Sequence, residues 1–406
     1  MTPGGPTDAS SLRSRTSLGT SEAAGLRLVS HHDLAGNGDG MQLLREGDVV
    51  YVGHNGTSGM GTSILDVSDP AAPELVAQWA APEYTHTHKV QIADGLLLIN
   101  HEKFPMGPKP LPGPHSAGLA IYRLDDPLAP EKVGFWSSTG RGVHRIVYTG
   151  GRYAHMSAIP DGFSDRIWVV IDLQDPTAPV EAARWWMEGL FAGGGETPSW
   201  PEGERFAAHH ALVDGDRAYL GFDDANMIVL DVSDWTAPKQ VGQVTWDGGS
   251  THTCLPLPSL GLVAVTDEQT KNGPGAPERL MRLVDPDESR VVSVLPPPDA
   301  SFAQRPLRFG PHNFHENRDG SYRSETLLFS TYFNAGVRVH DVSDPESPRE
   351  VAHWVSETPP GQDAPQANDL FVDADGLIWV SDRINGGLFA LAPEPDLESL
   401  MRDRQL

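Results

Sequence analysis

The sequence predicts an all-β fold built from a repeated four-stranded unit whose copies close into a ring. Three observations predict it. One phrase recurs along the chain: an apolar strand, then Asp-Val-Ser-Asp-Pro or a relative, then Pro and a second strand ending near Trp. Gly 42 and Pro 35 are high and helix-period patterns are scarce, which favours short strands and tight turns. Five histidines fall at the same point of the repeat: His88, His144, His209, His252 and His312. Each precedes a short apolar strand and follows the last by roughly 45–65 residues. Closure of such repeats gathers equivalent positions around one axis.

The elements follow in order. Residues 1–24 are polar and rich in Gly, Ser and Thr, lack the apolar stretch of a secretory signal, and read as a disordered tail. LRLVSHHDL, over 25–33, is a strand standing outside the repeats. The phrase then reads SILDVSDPAAPELVAQW from Ser63, AIYRLDDPLAPEKVGFW from Ala120, WVVIDLQDPTAPVEAARW from Trp168 and MIVLDVSDWTAPKQVGQVTW from Met227. A degraded copy, RLMRLVDPDESRVVSVL, starts at Arg279. VRVHDVSDPESPREVAHW starts at Val337, and GLFALAPEP follows from Gly387. The Asp-Pro turns punctuate the strands, because Pro fixes φ and Asp bonds its own backbone. Residues 396–406 read as a C-terminal tail.

The phrase resembles the LVIVD-repeat family over about residues 25–395. That resemblance implies a β-propeller, and seven copies imply seven blades. It implies no active-site residues, because the family's chemistry is largely uncharacterised. Residues 25–33 would supply the outer strand missing from the last blade, pairing beside the C-terminal strands and removing an exposed sheet edge.

Within a blade, the segment after each histidine forms the innermost strand, and a Gly/Asp turn returns it as the second. Antiparallel strands put alternate turns on opposite faces, so the histidines share a face with the ends of the second strands. The long insertions also lie mostly there: His101 to Gly118, Trp185 to Ala208, Asp267 to Arg279 and Pro296 to Pro311. They predict a lidded pocket walled by Trp186, Phe191, Trp200, Phe206 and Phe302. Lys103, Lys109, Lys271, Arg205, Arg305 and Arg308 make these loops more basic than the chain as a whole, compatible with an anionic group on the substrate.

The inner ring, aligned to the first strands, is Gly40, His88, His144, His209, His252 or Cys254, His312 and Asn368. THTC matches THTH, so both His252 against Cys254 and His86 against His88 stay open. Crowded imidazoles repel when protonated, and a bound cation resolves this by holding them neutral. His88, His144, His209, His252 and His312 are therefore candidate metal ligands. An imidazole-dominated set suits a divalent transition metal, Fe(II) or Cu in preference to Zn or Mn. At the ends of the second strands stand His101, Glu102, His155, Asp267, Glu268 and Tyr332. Glu102 and Asp267 or Glu268 could fix imidazole tautomers. Glu102, Asp267, His101, His155 and Tyr332 could move protons. The tryptophans Trp79, Trp136, Trp185, Trp246 and Trp354 read as packing between repeats, Cys254 as a small buried residue, and His340 as structural.

Composition narrows the function. Lys+Arg 30 against Asp+Glu 55 gives a formal charge of −25, which disfavours nucleic acid and anionic membranes as partners. No apolar run approaches a membrane span, and one cysteine excludes an internal disulfide. The expectation is a cytoplasmic metalloenzyme acting on a small molecule, an oxidase or oxygenase before a redox-inert lyase or hydrolase. A binding scaffold without catalysis is the third reading. Oligomeric state is open. No G-x-S-x-G, H-E-x-x-H or P-loop signature is present.

Overall fold

A computed structural model describes residues 12–107, 109–268 and 278–406. Lys271 and most of the Asp267–Arg279 insertion fall outside them. The fold is all-β, in several antiparallel sheets. The chain forms two compact units. One comprises Met1–Ala80, Thr266–Leu283 and Val291–Leu406, the other Ala81–Val265 and Val284–Arg290.

In the first unit, Gly40–Glu46, Val49–His54, Met60–Asp66 and Glu74–Ala80 make one four-stranded sheet. Ala367–Val372, Ile378–Asp382 and Gly387–Pro393 make another, completed by Leu26–His32. That strand runs antiparallel to the C-terminal one, with Leu26 opposite Pro393 and His32 opposite Leu388, as the isolated N-terminal strand predicts. The expected tail is more ordered than its composition suggests. Thr20–Ala24 forms a strand against Arg349–Ser356, outermost in a sheet with Val337–Asp341 and Leu327–Thr331. At the other end, Pro395–Arg404 is a helix, not a tail. Its Leu397 and Met401 pack into the apolar core beneath Tyr322 and Leu391. That anchoring is tertiary, which a composition-based reading of tails does not see.

In the second unit, two meanders share one sheet. Its strand order is Glu131–Ser137, Gly118–Arg123, Leu96–Lys103, then Gly142–Val147, Tyr153–Ile159, Ile167–Asp172 and Val180–Trp185. Ala211–Asp214, Arg217–Gly221, Met227–Asp231 and Lys239–Val244 form a separate sheet. Alternate apolar residues from these strands, among them Leu98, Leu119, Ile146, Val169, Leu220 and Ile228, make one buried core. Burial of each such side chain stabilises the fold by roughly 1.5–3 kcal/mol before entropy. Trp136 belongs to this core and Trp185 packs on it.

The recurring phrase folds as two successive Asx turns. In the first copy, Asp66 accepts from the Ser68 N–H at 2.9 Å and Asp69 from the Ala71 N–H at 3.0 Å. Asp231 and Asp234 repeat the pair with Ser233 and Thr236, both at 2.9 Å. Asp341 and Asp344 do so with Ser343 and Glu346. The conformation is fixed by the carboxylate's bond to the backbone two residues on, which is why Asp recurs at both positions.

One feature of the first strands is invisible to simple alignment. Their register slips by one residue, at Met41, His144 and Asn368. The same slip brackets Gly221, which accepts from His209 N–H (2.8 Å) and donates to the His210 carbonyl (2.9 Å). Thr331 is bracketed likewise by His312 and Asn313, both at 2.9 Å. A bulge re-aims the side chain of its extra residue. The slot aligned above with Gly40 therefore belongs to Met41.

Candidate metal centre

The candidate site lies at the end of the strand Leu96–Lys103. This strand outruns its meander, pairing beyond it with Thr85–His86 on one side and Gly142 on the other. His86 is directly opposite Glu102. Directly opposed residues bring their Cβ atoms within about 5 Å on one face of the sheet. His144 lies two residues beyond Gly142, at the bulge. The register alone thus sets two imidazoles around one carboxylate.

The contacts follow. His86 Nε2 lies 2.8 Å and His144 Nδ1 2.9 Å from the same Glu102 oxygen, Oε2. His86 stacks on His88 with centroids 4.0 Å apart, and on Phe104 at 5.0 Å. From His88 the rings continue to His144 at 5.2 Å, to His209 at 5.2 Å and to His252 at 3.8 Å. His86, His88 and Glu102, all buried, each offer one ligand atom within 4.8 Å of the others. His86 and His88 therefore both stand beside Glu102. His252 adjoins His209, while Cys254 is buried.

Electrostatics fix the protonation pattern. Burial would raise the Glu102 carboxyl, but the charge and hydrogen bond of His144, with the bond from His86, outweigh it and hold the group below the usual carboxylate range. Burial lowers His144 to about 4, against the attraction of Glu102 and with help from the Arg166 guanidinium. Burial and neighbouring imidazoles push His88 and His209 far down. Near neutrality the Glu102 carboxylate therefore stands beside neutral His144, His88 and His209. Glu102, acceptor only, takes the Nε2–H of His86 and the Nδ1–H of His144. The lone pairs left over are on His86 Nδ1 and His144 Nε2. His86 Nδ1 is buried without a hydrogen-bond partner, as are His88 Nε2 and His209 Nδ1.

Other candidates lie elsewhere. His101, also buried, is bonded to Ser116 Oγ at 2.8 Å and edge-on to Phe135; burial, then Lys132, lowers it to about 3. His155 accepts the Trp168 indole N–H at 3.2 Å and stacks on Trp235, within the core. Asp267, Tyr332 and His312 belong to the first unit. There Asp267 is ion-paired with Arg282, and the Tyr332 hydroxyl, raised by burial, meets the Arg279 carbonyl at 3.3 Å. His312 Nδ1 donates to the Asn368 carbonyl at 2.5 Å. His340, buried, meets the Pro296 carbonyl at 3.1 Å, in keeping with a structural role.

The loops differ from the expected lid. Trp186 and Phe191 pack with Phe163, and Trp200 stacks on Phe206 at 4.6 Å; all pack against the core. Arg205 pairs with Asp165 and Asp223, Arg308 with Glu268, and Lys103 Nζ bonds two carbonyls of its own loop. The basic character of these loops is thus largely neutralised internally. A cleft of about 520 Å³ does open beside the centre, lined by Tyr84, Pro105, Met106, Lys109, Leu111 and Pro112. Phe104, which stacks on His86, bonds the Tyr84 carbonyl at 2.8 Å and so ties the cleft to the histidines.

Sequence reasoning missed Asn100. It accepts from the Lys89 N–H and donates to the Val143 carbonyl, both at 2.7 Å, and reaches His88 Nδ1 at 3.1 Å. The signal was its place beside His101 and Glu102 at the end of the second strand.

No helix among the described residues is long and apolar enough to cross a membrane. No curated protein matches the chain. The fold is similar to the crystal structure of a protein from Lactobacillus plantarum, a structural-genomics target. The likeness has a TM-score of 0.53 at 13% identity, covering 84% of this chain and 94% of that one. At that identity it bears on fold alone. In sequence, the profile of the LVIVD repeat matches residues 37–80 and 207–245, so the chain carries two segments similar to that repeat.

Proposed function

We propose that the chain is a seven-bladed β-propeller metalloenzyme whose divalent transition metal is held by His86 and His144, which Glu102 orients, with His209 and His252 adjoining. One observation carries the metal. A buried carboxylate holds one nitrogen of each of two imidazoles, leaving the other to a ligand, and on His86 that other nitrogen has no hydrogen-bond partner in the protein. Imidazoles oriented by a hydrogen-bonded carboxylate are the usual surroundings of a protein-bound transition metal. An imidazole-dominated set favours Fe(II) or Cu and redox chemistry, with Zn and Mn as the other fits. The reading is an oxidase or oxygenase acting on a small substrate admitted through the Tyr84–Met106 cleft.

The propeller is supported by the count of four-stranded meanders, by the repeated Asx-turn phrase, and by the N-terminal strand that completes the C-terminal sheet.

The test is elemental analysis of untagged protein, followed by anaerobic loading with Fe(II) and oxygen uptake against a substrate panel. Stoichiometric metal with metal-dependent oxygen consumption supports the reading. Activity with Zn or Mn that ignores oxygen would replace it with a lyase or hydrolase, and absence of bound metal would end it.

A further inference from the structure

His88 is the buried ring of the cluster whose hydrogen-bonding roles are fixed from outside. Asn100 sets them. Its Oδ1 faces the Lys89 N–H and its Nδ2 faces the Val143 carbonyl, both at 2.7 Å. Turning the amide over would put two donors together at Lys89 and two acceptors together at Val143. The orientation therefore follows from the backbone and not from any assumption about hydrogens. The second hydrogen of Nδ2 then points at His88 Nδ1, 3.1 Å away. An amide nitrogen only donates, so Nδ1 must accept. In the neutral ring the proton sits on Nε2. That atom is buried and has no acceptor in the protein. A second proton would set Nδ1–H against the amide hydrogen of Asn100.

With Nδ1 held by Asn100, His88 has only Nε2 left for a metal, and ligation there needs its lone pair on Nε2 and the proton on Nδ1, the reverse of what Asn100 imposes. Yet His88 is stacked on His86 and has a ring nitrogen within 4.8 Å of candidate ligand atoms of His86 and Glu102. We infer that His88 is not a ligand but a hydrogen-bond donor, presenting Nε2–H to an acceptor oxygen of an anionic substrate group bound at the His86–Glu102–His144 centre. This rests on the proposed centre and adds the substrate class: a small molecule with a carboxylate or similar anionic group.

Two measurements test it. In metal-free protein, long-range proton–nitrogen NMR of the histidine rings, assigned by the signals lost in His88→Phe, should show the Nε2–H tautomer. An Nδ1–H tautomer would overturn the inference. Second, Mn(II) binding is compared in wild type, His88→Phe and His86→Ala, with formate as the anion probe on the metal-loaded proteins. His88→Phe should keep the Mn(II) stoichiometry, while formate binds roughly 10- to 100-fold more weakly, the loss expected for one charge-assisted hydrogen bond. His88→Gln, whose amide can still donate, should restore most of that affinity. Loss of Mn(II) from His88→Phe to the extent seen in His86→Ala would make His88 a ligand, and unchanged formate affinity would remove its role; either outcome overturns the inference with the centre left standing. A wild type that binds no metal overturns both.

Discussion

Glu102→Gln separates positioning of the imidazoles from stability. The carboxylate is 4% exposed and accepts from His86 and His144 at 2.8 and 2.9 Å. Bonds to a charged acceptor are worth about 1.5–3 kcal/mol and neutral ones about 0.5–1.5, so the amide weakens the pair by about 2 kcal/mol. Against this, a buried carboxylate costs several kcal/mol of desolvation that the amide does not. The two effects oppose each other, so metal-free stability should change by no more than about 1 kcal/mol. Metal binding has no such offset. The rings lose the charge that fixes their tautomers and raises their basicity, and affinity should fall roughly 10- to 100-fold, about 1.4–2.7 kcal/mol. The assay pairs urea unfolding of metal-free protein with competition against a chromophoric chelator. Wild-type metal affinity in Glu102→Gln would refute the positioning argument. Loss of more than about 3 kcal/mol of metal-free stability would recast the cluster as structural.

Three further expectations follow from the same geometry. His144 and His315 are each held down to about 4 by burial, from an unfolded value of 6.5. Their folded values are depressed, so their contribution is complete above pH 6.5 and is lost as pH falls toward 4, on the order of 3 kcal/mol each. Urea unfolding of metal-free protein between pH 7 and 4.5 measures this, and a flat profile contradicts it. His101→Leu and His155→Leu should leave metal affinity unchanged and cost about 1–3 kcal/mol through the stranded Ser116 hydroxyl and Trp168 indole; an altered chelator titration would return those histidines to the centre. Removal of residues 1–24 deletes the outer strand on Arg349–Ser356 together with the buried Leu18 and the Arg15 and Thr16 bonds to Asp33, but leaves Leu26–His32 in place, whereas removal of 1–33 also exposes the edge of Gly387–Pro393. Light scattering should find the shorter truncation dispersed and the longer one aggregating, and equal behaviour would deny the N-terminal strand its closing role.

The architecture was legible because its signals are local. Asp-Val-Ser-Asp-Pro specifies its turns through bonds two residues long, and LRLVSHHDL stood out as a strand without a repeat. The order of Thr20–Ala24 and of the C-terminal helix was not legible, because both depend on packing against distant residues. The five aligned histidines and Glu102 were visible as a set. The bulge at His144 and the pairing of both neighbouring strands to Glu102 were not, since a one-residue slip leaves composition unchanged while redirecting a side chain. His101 shows the converse. It sits next to Glu102 in sequence, but alternation along the strand sends it to the opposite face, against Phe135.

Repeats give every copy the same backbone slot, so chemistry arises where copies differ. THTH and THTC are the same two turns of strand, yet the first sets two imidazoles, His86 and His88, on one side, and the second only one, His252, with Cys254 in the other place. The strand after THTH is also the one that overruns its meander, carrying Glu102 into line with His86. Copy number alone would scatter equivalent histidines evenly. Instead these two departures concentrate an extra imidazole and a carboxylate at one end of the run. A second cysteine-for-histidine exchange tests that logic: His88→Cys makes the first copy read like the second. If the centre depends on the departure of THTH from its sister copy, this variant should lose anion binding while His86 and His144, oriented by Glu102, still hold the metal.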